Sequence, residues 1–341
     1  MPTFLYPTSA ELMEIEQSLL PDLTEDDPLF SILPIEDLDA DAVLWEQEDN
    51  WYGLQQIRGL NGEARRVNRT GMKRYRLEPG YYTDFVEIDE AELVRRRNAG
   101  SFNQPIDIND LVRKEQDRLL MRRLARIKYI GWTLLSTGTF SVALPGGGTA
   151  HTDTFSLQTF SSSIPWATAA TATPLADFRA VKLLARGYSV DFGASAVALM
   201  NETTWQYLIK NLNASDLYGR RTQGLGTYEN VQGVNSLLAG DNLPQIVVYD
   251  RTYQDDSNVT QLFIPNNKVV VVGQRLDKQP LGAYVMTRNA NNPSFAPGAF
   301  TTVVDSAEHG EPIPHKIKVF DSHNGGPRIS YPSAVTVMTV S

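Results

Sequence analysis

Apolar residues recur at three-and-four spacing between Asp107 and Leu135, at Ile108, Leu111, Val112, Leu119, Leu120, Leu124, Ile127, Ile130 and Leu134. This spacing predicts one long helix with a single buried stripe, capped by Asp107 or Asn109. The opposite face reads as basic, with Arg113, Lys114, Arg118, Arg122, Arg123, Arg126 and Lys128 against Asp110, Glu115 and Asp117. At about 1.5 Å per residue the helix spans roughly 40 Å, which suits an elongated plate better than a small globule.

Before this helix the texture differs. Thr8 to Glu11 fits a capping box opening a helix that ends before Pro21, and Pro28 and Pro34 then keep the chain extended. From about Ala42 two strand-like runs flank Asn61-Gly62, the strongest short-range hairpin signal. Fully extended, such arms project on the order of 60 Å. A two-stranded ribbon of that length is marginal alone in water and needs a surface to lie on. Asp89 to Ala99 reads as a short helix ended by Gly100, with Arg95, Arg96 and Arg97 near its C-terminus where cations favour the dipole.

Beyond the long helix, TGTFSVALP and HTDTFSLQTF flank Gly146-Gly147-Gly148 as a second hairpin, and SSSIPWATAATAT marks a boundary. Pro174 opens a helix with Thr173 as cap, SAVALMN is a short buried strand, and Asn201 caps a further helix, NETTWQYLIKN. Ser215 to Gly233, rich in Gly, Tyr and Arg, reads as an exposed loop. The strands PQIVVYD, TQLFI, KVVVVG, LGAYVMT, AFTTVVD and HKIKVFD follow, with SAVTVMTVS joining a sheet at the end. The class is α+β, mainly antiparallel.

Charge sharpens this picture. The 341-residue chain carries a net charge of -9, but residues 1 to 50 hold 14 Asp or Glu and no Lys or Arg. Between Trp51 and Thr83 the sign reverses, with Arg58, Arg65, Arg66, Arg69, Lys73, Arg74 and Arg76 against Glu63 and Glu78. An acidic arm bearing Asp22, Glu25, Asp26, Asp27, Glu36 and Asp37, followed by a basic hairpin, forms two complementary surfaces, within one chain or between copies. The arm is also too apolar for a solvating tail, so it is expected to dock.

Chemistry is sparse. Cys 0 excludes disulfides, thiolate nucleophiles and Cys-ligated zinc, and His151, His309, His315 and His323 form no metal-binding pattern. Gly193-Ala194-Ser195-Ala196 lacks the second glycine of a nucleophile elbow. Gly146-Gly147-Gly148 lacks the Lys-Ser or Lys-Thr of a phosphate loop, and Glu229 occupies the third glycine position after Gly224-Leu225-Gly226. Carboxylate pairs such as Asp39 with Asp41, or Asp255 with Asp256, sit in loop-like segments, whereas acid/base work needs burial to separate two pKa values. No cofactor, metal, membrane span or secretory leader is expected. The surviving parts are a docking arm, a projecting hairpin, a rod-like helix and a separate α/β lobe, which are parts for contacting copies of the same chain.

The helix 107 to 135, ALMNETTWQYLIKN at 198 to 211, FIPNNKVVVVG at 263 to 273, and the tail from PGAFTTVVD through PRISYPSAVTVMTV follow an order that resembles the lambda-type major capsid proteins of tailed bacteriophages. The resemblance covers essentially the whole chain. It implies the Hong Kong phage type of capsid fold, a non-enzymatic shell protein forming hexamers and pentamers around double-stranded DNA, and a place in the virion head, assembled in the bacterial host cytoplasm. On it, residues 1–41 are the N-terminal arm, 42–88 the extended loop, 89–165 with 326–341 the peripheral domain carrying the spine helix, and 166–325 the axial domain. It also places Tyr218, Arg220, Arg221, Gly224 and Gly226 at the capsomer centre. A separate scaffolding protein, a portal and a decoration protein are the implied partners. Contact with packaged DNA is expected to be weak, since the chain is acidic and lacks an aromatic-interleaved basic surface. Some relatives crosslink through a lysine of the extended loop; Lys73 is the only one here, without an identifiable partner, so non-covalent clamping is expected. The rival readings are an encapsulin-like compartment shell and a hydrolase, the latter requiring a buried carboxylate pair.

Overall fold

The computed structural model describes residues 7–48, 54–55, 57–60, 62–64, 66, 72–89, 108–143, 148–169, 171–214, 230–255, 257–276, 278–306 and 315–341. The chain divides into two compact units: residues 1–43, 77–131 and 283–328 form the first, and 44–76, 132–282 and 329–341 the second. These boundaries differ from the four segments expected from the sequence. Strands between 300 and 325 group with 77–131, and the terminal strand groups with 132–282.

In the first unit, the first helix (Ser9–Glu25) starts at the expected capping box: Thr8 N donates to Glu11 Oε2 at 2.7 Å, and Glu11 N donates to Thr8 Oγ1 at 3.3 Å. It does not end before Pro21 but runs through it. Both Pro21 and Gln17 lie on the exposed side, where water can take the carbonyl that loses its donor. Pro28 likewise starts a short helix (Pro28–Ile32) instead of holding the chain extended, because Asp27 accepts Leu29 N at 3.1 Å and proline suits the first helical position.

The spine helix (Ile108–Thr137) has 30 residues, within two of the predicted ends. Its residues belong to the first unit through Gly131 and to the second from Trp132. Leu111, Val112 and Leu119 join Leu12, Ile88, Ile317 and Val319 in one core cluster. Gly131 sits against Leu29; a Cβ there would come within 2.9 Å of a leucine methyl. Two residues depart from the expected face, and one of them, Glu115, is buried with Arg118 paired to it at 2.6 Å. Arg123 is buried among the apolar stripe, since position 123 lies next to Leu119, Leu120 and Leu124 on the wheel and not opposite them. Lys128 is also drawn in, pairing with buried Asp27 at 2.9 Å. The short helix expected at 89–99 lies outside the described residues apart from Asp89.

The first sheet runs in the order Ile35–Asp37, Gly282–Met286, Ile317–Ile329, Phe300–Asp305, and Gly80–Ile88 pairs with Ile317–Ile329 as well. The pairing is antiparallel in register Ile88↔Ile317 through Gly80↔Gly325, and parallel between Ile35–Asp37 and Tyr284–Met286. Alternation along Gly80–Ile88 sends Val86 and Ile88 into the core and leaves Tyr81, Thr83 and Phe85 exposed.

The second unit holds a sheet ordered Gln245–Val248, Val197–Met200, Lys268–Val272, Val335–Thr339, Gln158–Ser161. The terminal strand thus enters a sheet as expected, paired antiparallel with Lys268–Val272 and parallel with Gln158–Ser161. Asn201 caps helix Glu202–Ala214, accepting Thr204 N at 2.9 Å, whereas Thr173 makes no side-chain cap on Pro174–Leu184. A third helix, Val231–Gly240, capped by Asn230, begins inside the stretch expected to be loop. The second hairpin pairs Thr139–Ala143 with Thr149–Thr154. Trp166 fills the lobe, donating its indole N–H to Asp177 Oδ2 at 2.8 Å and meeting Phe178 edge-on at 5.6 Å.

Candidate assembly interface

The hairpin base pairs Val43–Glu48 with Met72–Leu77. Aromatic stacking fixes it: the Trp45 ring lies 5.3 Å from Tyr75 and 6.0 Å from Phe155, at 15° to each. Offset stacks of this kind contribute about 0.5–1.5 kcal/mol each beyond area. Past the base, none of the described residues between 54 and 66 is in a strand. Gly62 N donates to Gly59 O at 2.9 Å, closing a turn at the predicted Asn-Gly site, and Arg58 Nη1 donates to Gly62 O at 2.8 Å. Leu54, Ile57 and Leu60 are 97%, 101% and 100% exposed. Full burial of such side chains is worth about 1.5–3 kcal/mol each, so this tip gains far more from a partner surface than from water.

The structure distributes the charged residues proposed for assembly into three groups. Arg58, Arg66, Lys73, Arg74 and Arg76 of the hairpin are exposed, as are Asp22, Glu25 and Asp26 on and just after the first helix. Several serve their own chain, the exposed Arg74 included. Asp27 caps a helix and binds Lys128, Glu36 accepts from Arg328 at 2.8 Å, and Arg74 donates to Glu46 at 2.6 Å. Burial raises the pKa of Asp37, while the hydrogen bond from Arg288 lowers that of nearby Asp39. Arg65, Arg69, Tyr218, Arg220, Arg221, Gly224 and Gly226 lie outside the described residues.

A surface that the sequence reading did not single out lies on the first sheet. Tyr81 and Phe85 are 69% and 53% exposed on the outward face of Gly80–Ile88. Phe85 lies 5.3 Å from Phe320, with Lys318 Nζ 5.5 Å above its ring. Lys316 donates to Glu87 at 2.6 Å beside it, and that bond holds the Glu87 carboxyl below its ordinary range. The signal was present in GYYTDFVEI, whose odd positions carry two aromatics on the face opposite Val86 and Ile88.

Residues weighed for catalysis or metal binding have structural uses. Asp191 accepts Gly193 N and Ser195 Oγ in a turn, and Asp255 accepts Ser257 N and Val259 N. His323 is buried against Tyr284 and Tyr82, and His315 meets Asp305 at 2.9 Å. Among the described residues no group of three or more His, Cys, Asp or Glu is placed to hold a metal ion, and no helix is long and apolar enough to cross a membrane.

Comparison with known proteins places these surfaces in context. The family model described as phage major capsid protein E matches residues 33–280. Among solved structures, a protein assigned as the capsid protein of an Escherichia coli CFT073 prophage is similar at a TM-score of 0.58 and 14% identity, covering 95% of this chain and 98% of that one. A phage-related protein from Bordetella bronchiseptica RB50 is similar at a TM-score of 0.54 and 10% identity, covering 97% and 95%. The capsid of a native GTA particle is similar at 0.50 and 13% identity, covering 92% and 89%. No curated protein matches the chain in sequence.

Proposed function

This chain belongs to the phage major capsid protein E family and is a structural capsid subunit of the virion head, and we propose that its hairpin is the clamp that joins neighbouring copies. The observation that carries this reading is the contrast within the hairpin: a base held by the Trp45 stack and a tip with Leu54, Ile57 and Leu60 wholly in water. A rigidly rooted, apolar, basic projection is suited to a neighbour's surface. Arg58, Arg65, Arg66, Arg69, Lys73 and Arg76 supply the cationic side. Asp22, Glu25 and Asp26, exposed on and just after the first helix, supply the first acidic partners, while Asp27 and Glu36 also bind within their own chain. Such rim charges steer docking and fix register more than they add affinity.

Self-association into shells follows from the family. The segment names arm, extended loop, peripheral and axial domain, a capsomer-centre role for 215–233, and a separate scaffold, portal and decoration protein are our further reading. So is the absence of catalysis: the acids weighed above are turn caps or surface ion pairs, and among the described residues the buried acids sit beside arginine, lysine, histidine or tryptophan, the pair Glu16 and Asp321 sharing Arg123.

Electron microscopy of the purified protein, with and without a candidate scaffolding protein, tests the reading. Shells, sheets or rings of five and six are expected. Arg65→Glu, Arg66→Glu and Arg69→Glu together should leave the subunit folded and block or loosen assembly; normal shells from this triple variant would sink the charge-complementary clamp.

A further inference from the structure

The most unusual group of side chains in the first unit lies beneath the first helix. Arg123, with its side chain 2% exposed, projects from the middle of the spine helix to two carboxylates. Its Nη1 donates to Asp321 Oδ1 at 2.5 Å, and its Nη2 donates to Glu16 of the first helix. Glu16 and Asp321 are themselves almost fully covered. The Thr301 hydroxyl lies 3.4 Å from Glu16 Oε2 and 3.3 Å from Asp321 Oδ1, and its one proton can serve only one of them at a time. One cation therefore faces two anions in a buried place, and with both acids ionised a full negative charge is left over.

We propose that Glu16, Arg123 and Asp321 form a proton-loaded latch on the first helix: with a proton on Asp321 the helix is held, and loss of that proton loosens its seat. The rest of that seat is Leu12 in the core cluster, Gln116 Nε2 donating to Leu12 O at 2.6 Å, and packing on Phe300–Asp305. Leu12 and Glu16 are four residues apart and share one face, so excess charge at Glu16 acts on the face that docks.

The surroundings assign the proton to Asp321. The groups facing it are Arg123 of the spine helix, Glu16 of the first helix, Thr301 of Phe300–Asp305 and Asp84 of Gly80–Ile88, which is held by Arg122 at 3.0 Å. Burial outweighs the Arg123 attraction and raises the Asp321 carboxyl to about 6, with Glu16 and Asp84 adding to the rise. When the first helix leaves, the Glu16 charge and much of the burial leave too, and Asp321 returns toward an ordinary carboxylate paired with Arg123. The attached state thus holds the proton more tightly than the released state. Its advantage is fullest at low pH and is lost as pH rises through about 6.

Hydrogen exchange of residues 9–25 in the full chain at pH 5 and pH 8, corrected for the intrinsic pH dependence of exchange, reads this directly. Protection of the first helix should be about tenfold greater at pH 5, relative to a segment of the second unit such as 197–200. Asp321→Asn should remove the difference, and Glu16→Gln, which leaves one acid for one arginine, should reduce it, since the burial of Asp321 remains. The second variant keeps the test valid if the first fails to fold. Equal protection at the two pH values, greater protection at pH 8, or an undiminished difference in a folded variant would overturn the latch. None of these readouts requires assembly, so failure of the clamp and failure of the latch are distinguishable.

Discussion

Two strands, one from each sheet, differ in what they leave uncovered. In the second unit, Lys268–Val272 reads as consecutive valines and is buried from Val269 to Val272, on both faces of the pleat. In the first unit, Gly80–Ile88 alternates, with Ile88 in the core and Tyr81 and Phe85 in water. A strand covered on both sides spends all its apolar surface on its own fold. A strand covered on one side, such as Gly80–Ile88, keeps apolar surface for another molecule, and in a family that builds shells it is the more informative one.

If that division is right, truncation in the second sheet should cost most. Leu199→Ala, at a fully buried position, should lower the unfolding free energy by about 2–5 kcal/mol in urea titration, because little around it can collapse into the cavity. A loss below about 1 kcal/mol would show this sheet to be less tightly packed than its burial implies.

Acid should expose the electrostatic side of the first unit. Burial, with Arg123 and Arg126 nearby, lowers the His323 pKa to about 3. The unfolded chain takes up this proton below about 6.5 and the folded chain refuses it, so stability present at pH 8 declines as pH falls from there toward 3. At pH 5 that decline is about 2 kcal/mol, against about 1 kcal/mol gained at Asp321 by the opposite linkage. Urea midpoints at pH 8 and pH 5 should therefore fall more in Asp321→Asn than in the original chain, and His323→Gln should remove most of the acid loss. This global response opposes the local one at the first helix, since the rings that meet His323 are Tyr82 and Tyr284 of the first sheet.

The outward face should barely register in stability. Phe85→Ala is expected to cost about 1 kcal/mol or less in the subunit, through loss of its contact with Phe320, while lowering the yield of shells. A cost approaching that of Leu199→Ala would mean that the face is covered by its own chain.

How much of this was legible varied with the physics involved. Long periodic segments were: the spine helix, the valine strands and the hairpin base all follow from side-chain period alone. Pro21 within the first helix was not, because its tolerance depends on Gln17 and Pro21 both facing water, a tertiary fact. The helix at Pro28 was readable from Asp27-Pro28 as cap and first position. Arg123 was the instructive miss. Counting charges assigned it to a basic face, and only the arrival of Glu16 from 107 residues away and Asp321 from 198 residues away makes a buried arginine tolerable. The same holds for the interface: charge reversal between residues 1–50 and 51–83 was visible, but Asp27, Glu36 and Arg74 find partners in their own chain that no local pattern announces.

The smallest effect on the subunit should come from the hairpin tip, and it sharpens the comparison furthest. Leu54→Ser, Ile57→Ser and Leu60→Ser together remove three aliphatic side chains that touch almost nothing, so the urea midpoint should not move by more than about 0.5 kcal/mol in stability. Shell formation, followed by light scattering and electron microscopy, should fail or slow severely, since burial of these groups on a neighbour is the gain that the monomer forgoes. A destabilised subunit would mean that the tip packs on its own chain and that the clamp reading has mistaken an intramolecular surface for an intermolecular one. Normal shells from a normally stable variant would leave the aromatic face of Gly80–Ile88 as the surface that holds copies together, and Tyr81→Ser with Phe85→Ser should then abolish assembly where the tip variant did not.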